Sequence, residues 1–313
     1  RNRVNVSFTM SEGDAAKIRE IRIVGAKAYS EGTLTRLLDL TTTGWLTWYT
    51  KADRYARAKL NADLETLRSY YLSRGYLEVK VDSTQVAISP NKQDIAITIN
   101  ITEGERFVVS SVKIDGNYLG KEDEFKSLVT IEPGEAYNAA RVAQTTKAFT
   151  DYFGNFGYAF ARVDAVPEVD RVNNRVAIVL RADPSRRAYV RRVNVAGNSR
   201  TRDEVVRREF RQFESAWYDA TLIRLSKERL NRLSFFAEVE VETNEVPGAP
   251  DQVDLLVTVK EKPTGNLSLG AGYSSGDGLG LTGAIRQDNA FGSGNSLGVQ
   301  VNTSKVNRTI VFS

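Results

Sequence analysis

The run Val112-Lys113-Ile114-Asp115-Gly116-Asn117 decides how this chain is read. It alternates apolar and polar residues, as a strand with one buried face does, and closes on a glycine suited to a turn of positive φ. The pattern recurs upstream as Ile21-Arg22-Ile23-Val24-Gly25-Ala26 and downstream as Val193-Asn194-Val195-Ala196-Gly197-Asn198. The copies lie roughly 80–90 residues apart, a repeat of domain size.

Two helical stretches follow each glycine. In the first copy Leu34, Leu37 and Leu38 make one apolar stripe, and Leu60, Leu64, Leu67 and Tyr71 make another. The second copy has Phe125, Leu128 and Val129, then Val142, Phe149, Tyr152 and Phe153. In the third, Thr201 and Glu204 have capping-box spacing, with Val206, Phe210 and Phe213 expected beneath, and Leu222, Leu230 and Leu233 follow. Two strands end each copy. The second strands are expected to open at Gly75-Tyr76, Gly157-Tyr158 and Phe235-Phe236. The third strands, such as Ile95 to Ile101, are more continuously apolar and are expected at the sheet centre, which leaves the second strands at an edge.

Each copy therefore reads as β-α-α-β-β, a small sheet with two helices on one face, and a single doubly wound domain does not fit that order. The fold class is α+β. The boundaries expected are 16–105, 106–185 and 186–262, with residues 1–15 as the last strand of a preceding repeat, because Glu12-Gly13 repeats the ending Glu103-Gly104. The chain is expected to be part of a longer protein with at least four repeats.

From residue 263 to 313 helical periodicity gives way to Gly-rich alternation. Leu267, Leu269, Ala271 and Tyr273 share one face, and Asn266, Ser268, Gly270 and Gly272 the other. Leu279, Leu281 and Ile285, then Leu297, Val299 and Val301, continue the pattern. A transmembrane β-barrel and a soluble sandwich share this signature. Closing a membrane barrel takes at least ~8 strands, and at most four are expected here.

Composition removes most chemistry. Among the 313 residues there is no cysteine and no histidine, which excludes disulfides, the usual zinc sites and Ser-His or Cys-His nucleophile pairs. No carboxylate pair clusters, so no enzyme, metal or cofactor is expected. No apolar run reaches the ~18 residues of a membrane-spanning helix. The net charge of +4 is uneven: thirteen Lys/Arg stand against six Asp/Glu between Arg186 and Arg232. That surplus lacks interleaved aromatics, and no nucleic-acid partner is expected. The glycines from Gly270 to Gly280 lack dinucleotide-loop spacing, and no helix follows them.

Several longer runs carry a family likeness. They include Leu64 to Leu72 with Arg74-Gly75-Tyr76, Asp82 to Val86, Ile131 to Glu135, Arg207 to Trp217, Lys227 to Leu233, Val246 to Asp254 and Gln287 to Gly294. Together they resemble the BamA family of Gram-negative outer-membrane protein assembly factors, in which polypeptide-transport-associated (POTRA) repeats precede a barrel. The resemblance implies repeats three to five, preceded by the end of the second and followed by the first barrel strands. It further implies an outer-membrane location with the repeats in the periplasm. The partners it implies are unfolded outer-membrane proteins, assembly lipoproteins such as BamD, and outer-membrane lipid. The alternatives are a TamA-like or two-partner-secretion transporter, or a soluble periplasmic peptide-binding scaffold.

Four sets of residues are candidates. A client strand is expected to pair with the second strand of the first repeat at Tyr76, Val79 and Val81, unless Lys80, Asp82 and Pro90 blunt that edge. Trp45, Trp48 and Tyr49 form a candidate aromatic anchor, although capping of the local core is the plainer expectation. Arg207, Arg208 and Arg211 are expected on a helix with Glu209 and Glu214. The resemblance implies BamD docking there, with Glu214 matching a position implicated in that contact; otherwise the helix is a solvated face. Leu267, Leu269, Gly270, Ala271, Gly272 and Tyr273 lie on the strand that resembles the lateral gate, where few side chains lock the seam.

Overall fold

The computed structural model describes residues 16–44, 47–50, 52–91, 93–275 and 278–313. The strand expected in residues 1–15 lies outside them. Two compact units divide the chain, one of residues 1–115, 126–147 and 164–181, the other of residues 116–125, 148–163 and 182–313.

The first repeat runs β1 (Lys17–Val24), α1 (Glu31–Thr35), α2 (Thr47–Thr50), α3 (Arg57–Leu72), β2 (Lys80–Ile88) and β3 (Asp94–Thr102). Its sheet order is β1-β3-β2, with β1 parallel and β2 antiparallel to β3. The helices carry the chain across one face, which lets β1 and β3 run the same way. Ile95, Ile97, Ile99 and Ile101 alternate along β3 and pack beneath Leu60, Leu67 and Tyr71 of α3. The Tyr71 hydroxyl donates to the buried Glu103 carboxylate at 2.7 Å, and the Ala28 N–H donates to the same group at 3.1 Å. Burial, followed by that hydrogen bond, holds the Tyr71 phenol well above its ordinary pKa.

The second repeat comprises β4 (Val108–Gly116), α4 (Glu122–Ser127), α5 (Ala139–Gly154), β5 (Arg162–Asp170) and β6 (Arg175–Asp183), ordered β4-β6-β5. The third comprises β7 (Tyr189–Ala196), α6 (Asp203–Arg207), α7 (Ala220–Asn231), β8 (Phe236–Val246) and β9 (Ala249–Glu261), ordered β7-β9-β8. In every repeat the apolar third strand is central, as its composition requires.

The glycine that ends each opening strand has a steric cause. Gly25, Gly116 and Gly197 have φ of +97°, +99° and +83°, and a Cβ there would lie 2.0, 2.2 and 2.1 Å from a carbonyl oxygen of the central strand. Only glycine fits both demands.

Two second strands start later than the sequence reading places them. β2 begins at Lys80 and β5 at Arg162, because Gly75 and Gly157 open tight turns at φ +104° and +95°. There the Tyr76 and Tyr158 amides bond back to Tyr71 and Phe153. These turns also carry the next repeat: the Gly75 carbonyl accepts the Phe107 N–H at 2.8 Å, and the Gly157 carbonyl accepts the Ala188 N–H at 2.8 Å.

The remaining strands β10 (Gly265–Ser274), β11 (Gly278–Gln287), β12 (Leu297–Thr303) and β13 (Arg308–Phe312) form one antiparallel sheet in sequence order. Their register aligns Leu267, Ile285, Val299 and Phe312 in one row, and Leu269, Gly283, Val301 and Ile310 in another. One face of the sheet is therefore apolar, and it is bare: Leu269 is 80% exposed and Tyr273 81%.

Candidate functional site

The third repeat departs most from the sequence expectation. Its α6 ends at Arg207, so Arg208 caps the helix, and Arg211 and Glu214 lie in the loop leading to α7. Thr201 does not cap α6, whose N-cap is Arg202 without a side-chain bond.

Buried polar groups shape that loop. The Gln212 amide donates to the Trp217 carbonyl at 2.9 Å and accepts the Asp219 N–H at 2.9 Å. The Ser226 hydroxyl of α7 accepts the Arg211 N–H at 2.8 Å. Ser215 turns the chain at φ +62°, and its N–H bonds the Val190 carbonyl at 2.7 Å. With Phe210 and Gln212 both turned inward, Phe213 is thrown out and stands 67% exposed, contrary to its expected place in the core.

Glu214 is held beside it. Its Oε1 accepts the Val193 N–H at 2.8 Å and Arg207 Nη1 at 3.3 Å, while Arg207 Nη2 reaches the Val193 carbonyl at 2.8 Å. Hydrogen bonds to Asp203 and Glu214 hold the Arg207 guanidinium above its ordinary pKa. Arg207 therefore positions Glu214, and although it is exposed its guanidinium is already engaged within the repeat. Arg208 is also engaged, donating to the Ser293 carbonyl at 3.4 Å. The result is a hollow of about 340 Å³ lined by Val193, Arg207, Phe210, Gln212, Phe213 and Glu214, with an anionic group beside an exposed ring.

The other candidates are spread apart. Tyr76 and Val79 are not strand residues: Tyr76 packs its ring 5.4 Å from Tyr71, and Val79 is buried in the turn before β2. Of the three, Val81 alone lies on β2, opposite Ile101. In the first repeat, residues 44–52 are inserted between Thr43 and Asp53, which bracket Ile18 as the adjacent Gly134 and Glu135 bracket Val109. Trp45 lies outside the described residues, and Trp48 belongs to α2. Tyr49 is exposed, so its ring does not cap the core. Leu267, Leu269, Gly270, Ala271, Gly272 and Tyr273 all lie on β10, an edge strand paired only with β11 among the described residues. No group of three or more potential metal ligands occurs among those residues.

A family model described as POTRA, surface antigen variable number repeat, matches residues 16–104, 107–184 and 188–262. The chain belongs to the POTRA family. It is 35% identical over 307 residues to the outer membrane protein assembly factor BamA of Neisseria meningitidis, covering 97% of this chain and 38% of that protein. BamA of Buchnera aphidicola is 31% identical over 302 residues, 96% of this chain and 49% of that protein. The chain thus spans under half the length of these curated relatives. Among solved structures, Haemophilus influenzae BamA POTRA3-5 matches with a TM-score of 0.71 at 30% identity, over 79% of this chain and 97% of that one. BamA from Haemophilus ducreyi lacking POTRA domains 1-3 matches with a TM-score of 0.55 at 33% identity, over 63% of this chain and 37% of that one.

Sequence reasoning missed two features of the third POTRA repeat. The first is Phe213, whose helical spacing from Phe210 mimics a buried stripe; the signal against it is Ser215, where a turn replaces the helix. The second is a socket for the β11–β12 turn. The Thr201 hydroxyl accepts Asn289 Nδ2 at 2.7 Å, and the Arg202 N–H donates to the Gly292 carbonyl at 3.0 Å. Glu261 braces that socket by accepting the Thr201 N–H at 2.7 Å and the Ser199 hydroxyl at 2.9 Å.

Proposed function

We propose that this chain is the membrane-proximal periplasmic arm, with the opening barrel strands, of an outer-membrane protein assembly factor. The observation that carries the reading is the joining of three POTRA repeats to a sheet whose one apolar face is uncovered. β10 and β11 are ten residues each, the ~9–11 that a tilted strand needs to cross a bilayer. No helix among the described residues is long and apolar enough to do so.

In this reading no bond is made or broken. An unfolded client strand pairs its backbone with a sheet edge and then passes into lipid by way of β10, the lateral-gate strand. The three repeat edges differ in fitness for the first step. β5 carries Pro167 in mid-strand, and β8 presents Glu238, Glu240 and Glu242 on one exposed face. Both devices block strand addition. β2 has no proline, and its only charges, Lys80 and Asp82, lie at its start, which favours the first repeat as the client edge. The pairing is through the β2 backbone, since Val81 faces the core side. The hollow beside Glu214 is the lipoprotein dock, where an exposed ring and a fixed carboxylate suit a basic, partly apolar partner surface.

Reconstituted in lipid vesicles, the whole protein is expected to speed the folding of a urea-unfolded outer-membrane barrel, read as the gel shift of the folded client. Vesicles holding the protein but folding the client no faster than bare lipid would reject the assembly role. Release of the whole protein from membranes by salt alone would favour a soluble scaffold.

A further inference from the structure

We propose that the β11–β12 turn is a membrane-interface anchor in which Phe291, flanked by Arg200 and Arg202, seats in the phosphate-bearing headgroup layer of the leaflet nearest the repeats. The inference rests on reading β10–β13 as membrane strands, and the experiment below separates the two.

One side of the turn is built into the third repeat. Asn289 spans it, donating to Thr201 and accepting the Gly294 N–H at 2.8 Å. Ala290 is buried, and a Cβ on Gly292 would lie 2.1 Å from the Arg200 carbonyl oxygen. The opposite side carries Phe291, which is 86% exposed at φ +54°.

A bulky aromatic residue in the left-handed region is uncommon, because its side chain crowds the backbone. Glycine or asparagine would make the same turn without that crowding. Phe291 thus combines a strained backbone with an unburied ring, neither of which helps the folded chain in water. A ring held this way has its partner outside the chain.

Position and charge identify that partner. The turn caps the hairpin end at which Ile285 and Leu297 close the apolar band, so Phe291 lies just beyond the band. Barrels place their aromatic girdle at that level, where a ring meets the headgroups. Arg200 and Arg202 touch Gly292 through their backbones, and both are exposed. Neither guanidinium pairs with a carboxylate among the described residues. Arg286, at the end of the same hairpin, is already paired with Asp288 at 2.8 Å. Two exposed arginines whose backbones meet the turn give it the charge that anionic lipid phosphate would match.

The chain contains no cysteine, so single labels are clean. Phe291→Cys, Leu269→Cys and Phe213→Cys would each carry a polarity-sensitive fluorophore in the whole protein, with any other cysteine replaced. The vesicles are phosphatidylethanolamine and phosphatidylglycerol with lipids brominated at shallow or deep positions. The expected result is a blue shift at position 291, quenched more by shallow than by deep bromine, with deep quenching at 269 and neither at 213. Arg200→Gln with Arg202→Gln should remove the blue shift at 291. An aqueous spectrum at 291 with 269 in lipid overturns the anchor and leaves the barrel standing. Aqueous spectra at both positions overturn both readings. Shielding at 291 that arises only on adding a lipoprotein overturns the anchor in favour of a protein partner.

Discussion

β3 of the first repeat and β10 of the terminal sheet are written in similar alternation and meet opposite fates. Ile97 and Ile99 are fully buried beneath α3, while Leu267 and Leu269 stand bare. Alternation specifies that a strand has one apolar face; it does not specify what covers that face. In the repeats a helix from the same chain covers it. In the proposed barrel, lipid does.

The sharpest way to break this comparison is paired truncation. Ile97→Ala should cost the first repeat about 3 kcal/mol, read by urea unfolding, because it leaves a cavity in a closed core. Leu269→Ala should cost no more than about 0.5 kcal/mol in water, where its side chain has little to lose. Equal losses would mean that the sheet face is covered within the chain. Leu269→Arg should instead cost about 2–4 kcal/mol in membrane insertion, measured in lipid vesicles, if the face is lipid-covered.

Gly292→Ala tests the seam between the third repeat and the terminal sheet. A Cβ 2.1 Å from the Arg200 carbonyl, at φ +71°, should cost the turn about 2 kcal/mol and expose residues 288–296 to protease, with the third-repeat core still folded. An unchanged digestion pattern would mean that the socket does not hold the turn.

A smaller effect is set by pH. Partial burial pushes the Glu261 carboxyl up, but bonds from Thr201, Ser199 and Arg200 outweigh it and hold the group below its ordinary 4.5. A depressed carboxylate contributes stability that is full above 4.5 and is lost as pH falls through its lower folded value. Protection of the β11–β12 turn from protease should therefore hold down to pH 4.5 and weaken below it, and Glu261→Gln should flatten that dependence. A wild-type profile in the variant would remove Glu261 as its cause.

The least effect on stability falls at the proposed dock. Phe213→Ala should change thermal stability by no more than about 0.5 kcal/mol, since the ring is exposed, yet reduce copurification of the proposed lipoprotein partner. Glu214→Arg should reduce it further and be rescued by a charge reversal on the partner. Intact copurification in both variants would move the dock elsewhere.

Much of the architecture was legible because local rules and tertiary demands agree. The strand closing on Gly116 and the apolar third strands each have one reading, and the structure follows it. The candidate sites were less legible. Tyr76 and Val79 look like strand residues, but Gly75 at φ +104° turns the chain before β2 begins. Arg207 looks like a docking cation, but it is spent on Asp203, Glu214 and the Val193 carbonyl. Phe213 continues a helical stripe on paper, yet α6 is only five residues long.

By itself the sequence determined the repeat, the order of elements within it, the absence of thiol and imidazole chemistry, and the switch to two-faced strands after residue 262. These rest on short-range periodicity and on composition, which need no partner to be read. The tertiary structure alone decided that Gln212 and Phe213 exchange the places their polarity implies, and that Glu261 and Thr201 form a socket. It also decided that Phe291 stands outside that socket. The reason is physical: inward or outward is set by hydrogen bonds between groups distant in sequence, such as Thr201 with Glu261 and Asn289, and no local pattern encodes them.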